Sequence, residues 1–361
     1  MNKNDSNTQV EDNGAAGAKA SLIKLAFDVH ADRIVVRRQI DCATPQPPQG
    51  MSWEQLERFA ARQTRLADRV VSCYEAGPFG FGLHRRLVAL GVENLVVRPQ
   101  NWDERGRRVK TDKTDAGAML GRLDRYLAGN TEALGVVQVP GPEQELARAR
   151  SRQREQVRRH RQRLEAQGRT LMLGFGHRVR GRWWQPERWR LLAKDLPAPV
   201  AGMAESLRGL ILVLHEQVEA LGAELEKQAP ATGRILGLGR LTEVIIGREI
   251  LDWNAFKNRR AVASITGLCP SEWSTGNSRR QGPISKCGRP RLRHALIEAA
   301  WRLVGFQPHY GPVKKWAAVM AAGNRPARKK AAVAIARQLA VDLWRIHTGR
   351  CTAAALGLIT I

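Results

Sequence analysis

The stretch LIKLAFDVHADRIVVRR, residues 22–38, decides the fold. Its two apolar runs, LIKLAFD (22–28) and RIVVRR (33–38), read as strands joined by the short turn VHAD, a β-hairpin at the start of a domain. Working outward, a helical segment runs from Ser52 to about Ala67 and leads to the strand RVVSCYE (69–75). FGFGLHRRLVALG (79–91) reads as a helix, ENLVVRP (93–99) as a further strand, and KTDAGAMLGRLDRYL opens a helix near Asp112. A hairpin followed by strands alternating with helices implies a mixed sheet with flanking helices, hence a layered α/β domain over residues 21–140. Residues 1–20, polar and rich in small side chains, read as a disordered tail.

A chain of 361 residues exceeds what one core serves, so two or three domains are expected. Beyond VPGPEQ the period changes. Val157, Leu164 and Leu171 recur at sevens, and Leu207/Leu214/Leu221 with Ile211/Val218/Leu225 supply interleaved a and d positions in a second helix. Residues 141–232 therefore read as a coiled-coil connector, paired either within the chain or between chains. RILGLGRLTEVIIGREI, from Gly233, resembles a helix-hairpin-helix turn through Gly237 and Gly239. Residues 233–361 read as a mainly α domain with helices at roughly 291–304 and 326–347, following a Gly/Pro/Ser-rich basic loop over 267–296.

Charge narrows the function. The net formal charge is +25, and two segments account for all of it: Arg148–Arg190 carries +11 and Arg279–Arg350 carries +14. Localised positive charge of this size points to a polyanion, and nucleic acid is the leading partner. Trp183 and Trp184 lie among Arg178, Arg180 and Arg182, a mixture in which aromatic faces stack on bases while guanidinium groups hold phosphates. Arg279, Arg280, Lys286, Arg289, Arg291 and Arg293 extend the basic set. The five cysteines are scattered, without zinc spacing or a disulfide framework, and no stretch of about eighteen apolar residues is present. A reduced, cytoplasmic protein without a membrane segment is expected.

Four carboxylates mark element ends. Asp28 closes one strand, Glu75 closes another, and Asp112 and Asp115 share a face at the start of a helix. Carboxylates projecting from adjacent strand ends and one helix supply the hard oxygen ligands that Mg²⁺ requires beside a phosphodiester. Each also has a structural role open to it: an Asx-turn for Asp28, helix capping for Asp112 and Asp115.

AFDVHAD around Asp28, CYEAGPFG around Glu75 and KTDKTDAGAML around Asp112 and Asp115 resemble the Asp-Glu-Asp-Asp pattern of the DEDD transposases of insertion sequences, whose N-terminal domain is similar to the RuvC Holliday-junction resolvase, an RNase H fold. GFGHRVRGRWW and ITGLCPSEWSTGNSRRQGPISKCGRPRLRHALIEAAW resemble the second, serine-bearing domain of the same family. The match runs from about residue 22 to 345. The resemblance implies a bridge-RNA-guided recombinase: a noncoding guide RNA pairs with donor and target double-stranded DNA, the carboxylates bind Mg²⁺, and a serine forms a covalent phosphoserine. It implies a bacterial protein, nucleoid-associated when acting. The heptads and the need to hold four DNA ends imply a homo-oligomer, a dimer that becomes a tetramer on DNA.

Ser274 is the favoured nucleophile, in a loop where Arg279, Arg280 and Lys286 supply charge. Relatives commonly carry a serine directly before the glycine, whereas this chain reads Ser274-Thr275-Gly276, so Thr275 and the nearby Ser271 remain alternatives. The β-branched Thr275 is the more crowded hydroxyl. Two rival functions stand beside recombination: a metal-dependent nuclease using water, and a non-catalytic nucleic-acid-binding protein.

Overall fold

The computed structural model describes residues 19–99, 112–231, 233–275, 278 and 280–361, with the side chains of 112–114 outside the description. Residues 1–18 of the expected tail and Arg279 lie outside the described residues, and Ala20, placed in the tail by the sequence, instead begins the first strand. The chain divides into two compact units that meet at Pro140 and Gly141.

The N-terminal unit is built on a mixed five-stranded sheet. Its strands are β1 (Ala20–Val29), β2 (Ile34–Ile40), β3 (Gln49–Met51), β4 (Ala67–Glu75) and β5 (Glu93–Val97), in the order β3-β2-β1-β4-β5. β1, β2 and β3 pair antiparallel, whereas β4 and β5 run parallel to β1. Helices α1 (Trp53–Leu66), α2 (Gly82–Ala89) and α3 (Asp112–Leu127) flank it. α1 starts where the sequence says: the Ser52 hydroxyl accepts from Gln55 N at 3.3 Å while Gln55 Oε1 accepts from Ser52 N at 2.8 Å, a reciprocal cap.

Alternation sorts the sheet into two faces. Ile23, Leu25 and Phe27 of β1 and Val70 and Tyr74 of β4 pack with Leu56 and Ala60 of α1 and Leu83 and Leu87 of α2. Ala26, Val71 and Cys73 lie on the other face, beneath Met119, Leu120 and Leu123 of α3. Lys24, 5 % exposed on that same face, pairs with Asp124 of α3 and donates to Asp41 O at 3.0 Å, which satisfies a cation that burial alone would penalise.

The C-terminal unit is mainly helical. α4 (Pro142–Gly174) and α6 (Ala198–Glu226) pair antiparallel, tied by Arg150–Glu224 at 2.9 Å near one end and by Arg161 Nη1 to His215 Nδ1 at 2.9 Å further along. Ile211, Val218 and Leu225 form the buried seam, so these expected interchain positions are filled within the chain. Leu207, Leu214 and Leu221 are only half-buried. Between the two long helices the short α5 (Pro186–Asp195) closes over a tryptophan core.

The remainder comprises α7 (Arg240–Glu249), α8 (Arg259–Thr266), a two-stranded hairpin of β6 (Pro270–Glu272) and β7 (Gln281–Ile284), and helices α9 (Pro290–Phe306), α10 (Gly311–Ala322) and α11 (Arg325–His347). Leu292, Leu296, Ala299 and Leu303 of α9 meet Ile335, Leu339 and Leu343 of α11 in the core. The expected helix-hairpin-helix does not form. Gly237 takes φ +86°, but the residues before it are extended and pair with the chain's last residues, Leu236 N donating to Ile359 O at 2.9 Å. That pairing satisfies the backbone a helix would otherwise satisfy.

Candidate carboxylate and serine sites

β1 and β4 are hydrogen-bonded neighbours, with Phe27 paired to Tyr74 at the last step of their ladder. Asp28 and Glu75 are the next residue on each strand, and alternation puts both on the face covered by α3. Asp28 Oδ2 lies 3.4 Å from His30 Nε2. α3 runs over this face through the buried Ala116, Met119, Leu120 and Leu123, and its first turn holds Asp115, half-buried. Asp112 opens the helix, its side chain outside the described residues. Among the described residues no group of three or more His, Cys, Asp or Glu side chains is spaced to hold a metal ion. The sheet thus brings Asp28 and Glu75 to neighbouring strand ends, and Asp115 to the helix above them.

The serine loop is a hairpin rather than an irregular coil. Trp273 N donates to Arg280 O at 2.8 Å, and Thr275 and Ser278 exchange both backbone hydrogen bonds, at 3.1 and 3.0 Å. Gly276, Asn277 and Arg279 lie outside the described residues. Ser274 Oγ donates to Glu272 Oε1 at 2.7 Å and accepts from Arg280 N at 3.3 Å. Ser271 Oγ instead donates to Pro283 O at 2.8 Å, which ties it to the opposite strand. Trp273, 64 % exposed, lies across Gly282, where a Cβ would come 2.2 Å from its ring. Glu272 was not among the sequence candidates. Its signal was the i, i+2 spacing to Ser274, which puts two side chains on one side of an extended strand.

The basic residues separate into three groups. Arg178, Arg180 and Arg182 are exposed at the end of the helical pair, together with Arg188 and Arg190. Trp183 and Trp184, expected to stack on bases, are instead 1 % exposed. Trp183 fills the space left by Gly168 of α4, where a Cβ would meet its indole at 2.2 Å, and donates its Nε1–H to Glu165 O at 3.0 Å. A large apolar ring gains more from this cavity than from solvent, and its one polar atom is satisfied there.

Arg293 also turns inward. Its Nη1 donates to Thr266 O and Lys286 O, each at 3.2 Å, and so straps the loop before α9 to the end of α8. Lys286 is exposed and held at φ +56°, an uncommon backbone region for a side chain of its kind. Arg289 and Arg291 join Arg148 and Arg152 around the buried Glu249, with Arg148 Nη2 3.7 Å from Glu249 Oε2. Burial holds the Arg289 and Arg291 guanidinium groups below their ordinary range, and the neighbouring arginines push in the same direction. Arg289 Nη1 and Arg291 Nε are buried without a hydrogen-bond partner among the described residues.

A sheet with carboxylates at adjacent strand ends, joined in one chain to a basic, mainly helical unit, is an arrangement suited to one class, enzymes that act on nucleic acid. Comparison with known proteins narrows it. Residues 233–312 match the family described as "Transposase IS116/IS110/IS902 family". The "Putative transposase y4rJ" of Sinorhizobium fredii is 32 % identical over 322 residues, covering 81 % of this chain and 80 % of that one. A "Probable family 20 transposase" of Pseudomonas aeruginosa is 29 % identical, with 78 % and 82 % covered. The "Transposase for insertion sequence element IS1111A" of Coxiella burnetii is 26 % identical, with 75 % and 76 % covered. The chain belongs to the IS116/IS110/IS902 family of insertion-sequence transposases, enzymes that act on DNA. Among the described residues no helix is long and apolar enough to cross a membrane.

Proposed function

We propose that this transposase is an RNA-guided recombinase that cuts and rejoins DNA through a covalent phosphoserine on Ser274. The observation that carries the reading is the 2.7 Å hydrogen bond from Ser274 Oγ to Glu272 Oε1. A serine hydroxyl is a poor nucleophile until a base takes its proton, and a carboxylate at this distance is a competent base. In the proposed step the Oγ–P bond forms, the P–O bond to one deoxyribose breaks, and the serine proton passes to Glu272. The departing sugar oxygen takes a proton from solvent. Rejoining reverses the step with a new strand, so no external energy source is needed. Thr275, whose backbone closes the hairpin, and Ser271, tied to Pro283, are the less suited hydroxyls.

The N-terminal unit is read as RNase H/RuvC-like. Its 3-2-1-4-5 strand order, antiparallel on one side and parallel on the other, supports this, as do Asp28 and Glu75 on the central pair. Asp28, Glu75, Asp112 and Asp115 supply hard-oxygen donors of the type a divalent cation, in this reading Mg²⁺, would take, and the ion would neutralise charge on the phosphate oxygens. Arg178, Arg180, Arg182, Arg279, Arg280, Lys286, Arg289 and Arg291 are the proposed phosphate contacts. A guide RNA with donor and target DNA makes three polyanions, and a net formal charge of +22 on residues 141–361 supports holding them. Self-association, a dimer alone and a tetramer on DNA, would use Met203, Leu210 and Val213, which α6 leaves more than half exposed.

The test is to load the protein with its co-purifying RNA, identified by sequencing, and trap the protein–DNA adduct for peptide mass analysis. Modification at Ser274, lost in Ser274→Ala and retained in Ser271→Ala and Thr275→Val, is expected. An active protein that forms no adduct would be a water-using nuclease instead.

A further inference from the structure

The C-terminal unit carries a further basic feature, outside the serine hairpin. A cleft of about 1020 Å³ lies between α8 and α11, lined by Lys257, Arg259, Arg260, Arg337, Arg345 and Arg350. Among the described residues no acidic side chain lines it. Asp342 of α11 is 2 % exposed and accepts from Tyr310 Oη at 2.7 Å, Gln338 Nε2 at 3.0 Å and Arg345 Nη1 at 3.3 Å. Lys257, Arg259, Arg260 and Arg337 make no ion pair among the described residues.

Arg345 is paired with Asp342, and the other five cations around the cavity repel each other with no carboxylate paired to them among the described residues. Trp344 lines the cleft with the Arg350 guanidinium 4.2 Å from its ring centroid. The cleft therefore offers fixed positive charge to an anionic ligand.

Size and lining choose the ligand. The volume is at the upper end for small-molecule sites, which are about 300–1,000 Å³ and mostly apolar, whereas here only Ala263, Cys269, Val341 and Trp344 are not polar or charged. The cations stand on two elements. Lys257, Arg259 and Arg260 gather where α8 begins, fixed because Asn258 Oδ1 caps the helix by accepting from Arg260 N and Ala261 N. Arg337 and Arg345 are eight residues apart on α11, hence on one face and separated by about 12 Å along the helix axis, far enough to reach more than one phosphate of a strand.

We infer that this cleft is a binding site for the phosphodiester backbone of a nucleic-acid strand, contacted along its length rather than at one phosphate. The site rests on the chain being a nucleic-acid enzyme and does not depend on the serine chemistry. Duplex DNA and single-stranded RNA share the chemistry it recognises.

The experiment compares the full-length protein with the double variant Arg260→Gln/Arg337→Gln. Binding to a duplex DNA and to a single-stranded RNA is measured from 50 to 200 mM salt. Each phosphate contact contributes about 0.9 to the log–log salt slope on duplex and about 0.7 on single strands. The variant is expected to lose roughly 1.8 from the slope with DNA, or roughly 1.4 with RNA, on whichever arm occupies the cleft, and Arg260→Lys/Arg337→Lys to restore it. A wild-type slope unchanged in the Gln variant on both arms overturns the cleft and leaves the recombinase reading intact. A wild-type response flat with salt overturns both. If the Gln variant melts abnormally, alkylation of Cys269 in the wild type decides. Protection by saturating nucleic acid, with the exposed Cys42 as the reference, supports the site, and equal reactivity overturns it.

Discussion

At the residue scale, Glu272 ends β6 and Ser274 lies two residues further along the same arm of the hairpin, and the hydrogen bond between them joins a carboxylate to a hydroxyl. Glu272→Gln keeps the size and a hydrogen-bonding group but removes the proton acceptor. Adduct formation should fall by about 10²–10⁴ with an unchanged melting curve; a variant as fast as wild type would remove Glu272 from the chemistry. The types and order of the carboxylates were legible, because Asp28 and Glu75 end apolar strands. The partner of Ser274 was not, because a glutamate in a loop full of polar residues gains meaning only once the hairpin fixes its side. A different residue sets a pH response. His347 stacks on Trp253, centroids 4.9 Å apart and planes 8° apart, and burial lowers its pKa below the ordinary value of about 6.5. Above that value the ring is neutral both folded and unfolded, and its contribution to stability is complete. As pH falls, the unfolded chain takes the proton first, so stability declines until the folded pKa is passed. His347→Phe keeps the stack without the titration. Urea unfolding at pH 7.5 and 5.5 should show a smaller loss in the variant, and equal losses would exclude this role.

At the element scale, apolar spacing marked the elements of the sheet well, and the hairpin of β1 and β2 with parallel β4 and β5 follows from residues 22–99. β3, three residues long, carries too little pattern to be seen, and α10 was hidden in GPVKKWAAVMAA, whose face is set by packing on α9 and α11. The arginine-flanked tryptophans were misread for a physical reason. Composition records that Trp183 and Trp184 sit among cations, but Gly168, fifteen residues upstream, makes the cavity that takes Trp183. The distinction can be measured. Gly168→Val would drive a side chain into the indole and should cost about 1–3 kcal/mol of stability, as overpacking does. Trp184→Ala should cost about 3–5 kcal/mol of stability and leave the affinity of the folded protein for nucleic acid within about twofold, where a base-stacking tryptophan would lose about 1–3 kcal/mol of binding. A filter-binding measurement showing a loss of that size would return Trp184 to the interface.

At the scale of the whole molecule, charge and apolar surface are segregated in the same unit. Residues 141–361 hold +22 of the net +25, which should keep free copies apart. Yet α6 exposes Met203 at 55 %, Leu210 at 57 % and Val213 at 56 %, spaced seven and three residues apart, while its other face is consumed by α4. That spacing is an a-to-a-to-d step, the seam a second helix would fill. The heptad positions read in the sequence lie elsewhere on α6: Ile211, Val218 and Leu225 are buried and Leu207, Leu214 and Leu221 half-buried, whereas Met203, Leu210 and Val213 form a stripe that the sequence reading did not single out. The two opposed forces predict an assembly that depends on salt. Screening at 0.5 M shortens the Debye length to a few ångströms and should favour the dimer, and bound nucleic acid should do so by neutralisation. Leu210→Glu with Val213→Glu should give a monomer in every condition with a native melting curve, because both positions are solvent-facing in the single chain. Ile211→Glu should instead unfold the helical pair, since Ile211 is fully buried against α4. Sedimentation of the three proteins at low and high salt separates these outcomes. A wild type that stays monomeric throughout, with and without DNA, would leave the exposed stripe without a partner of its own kind.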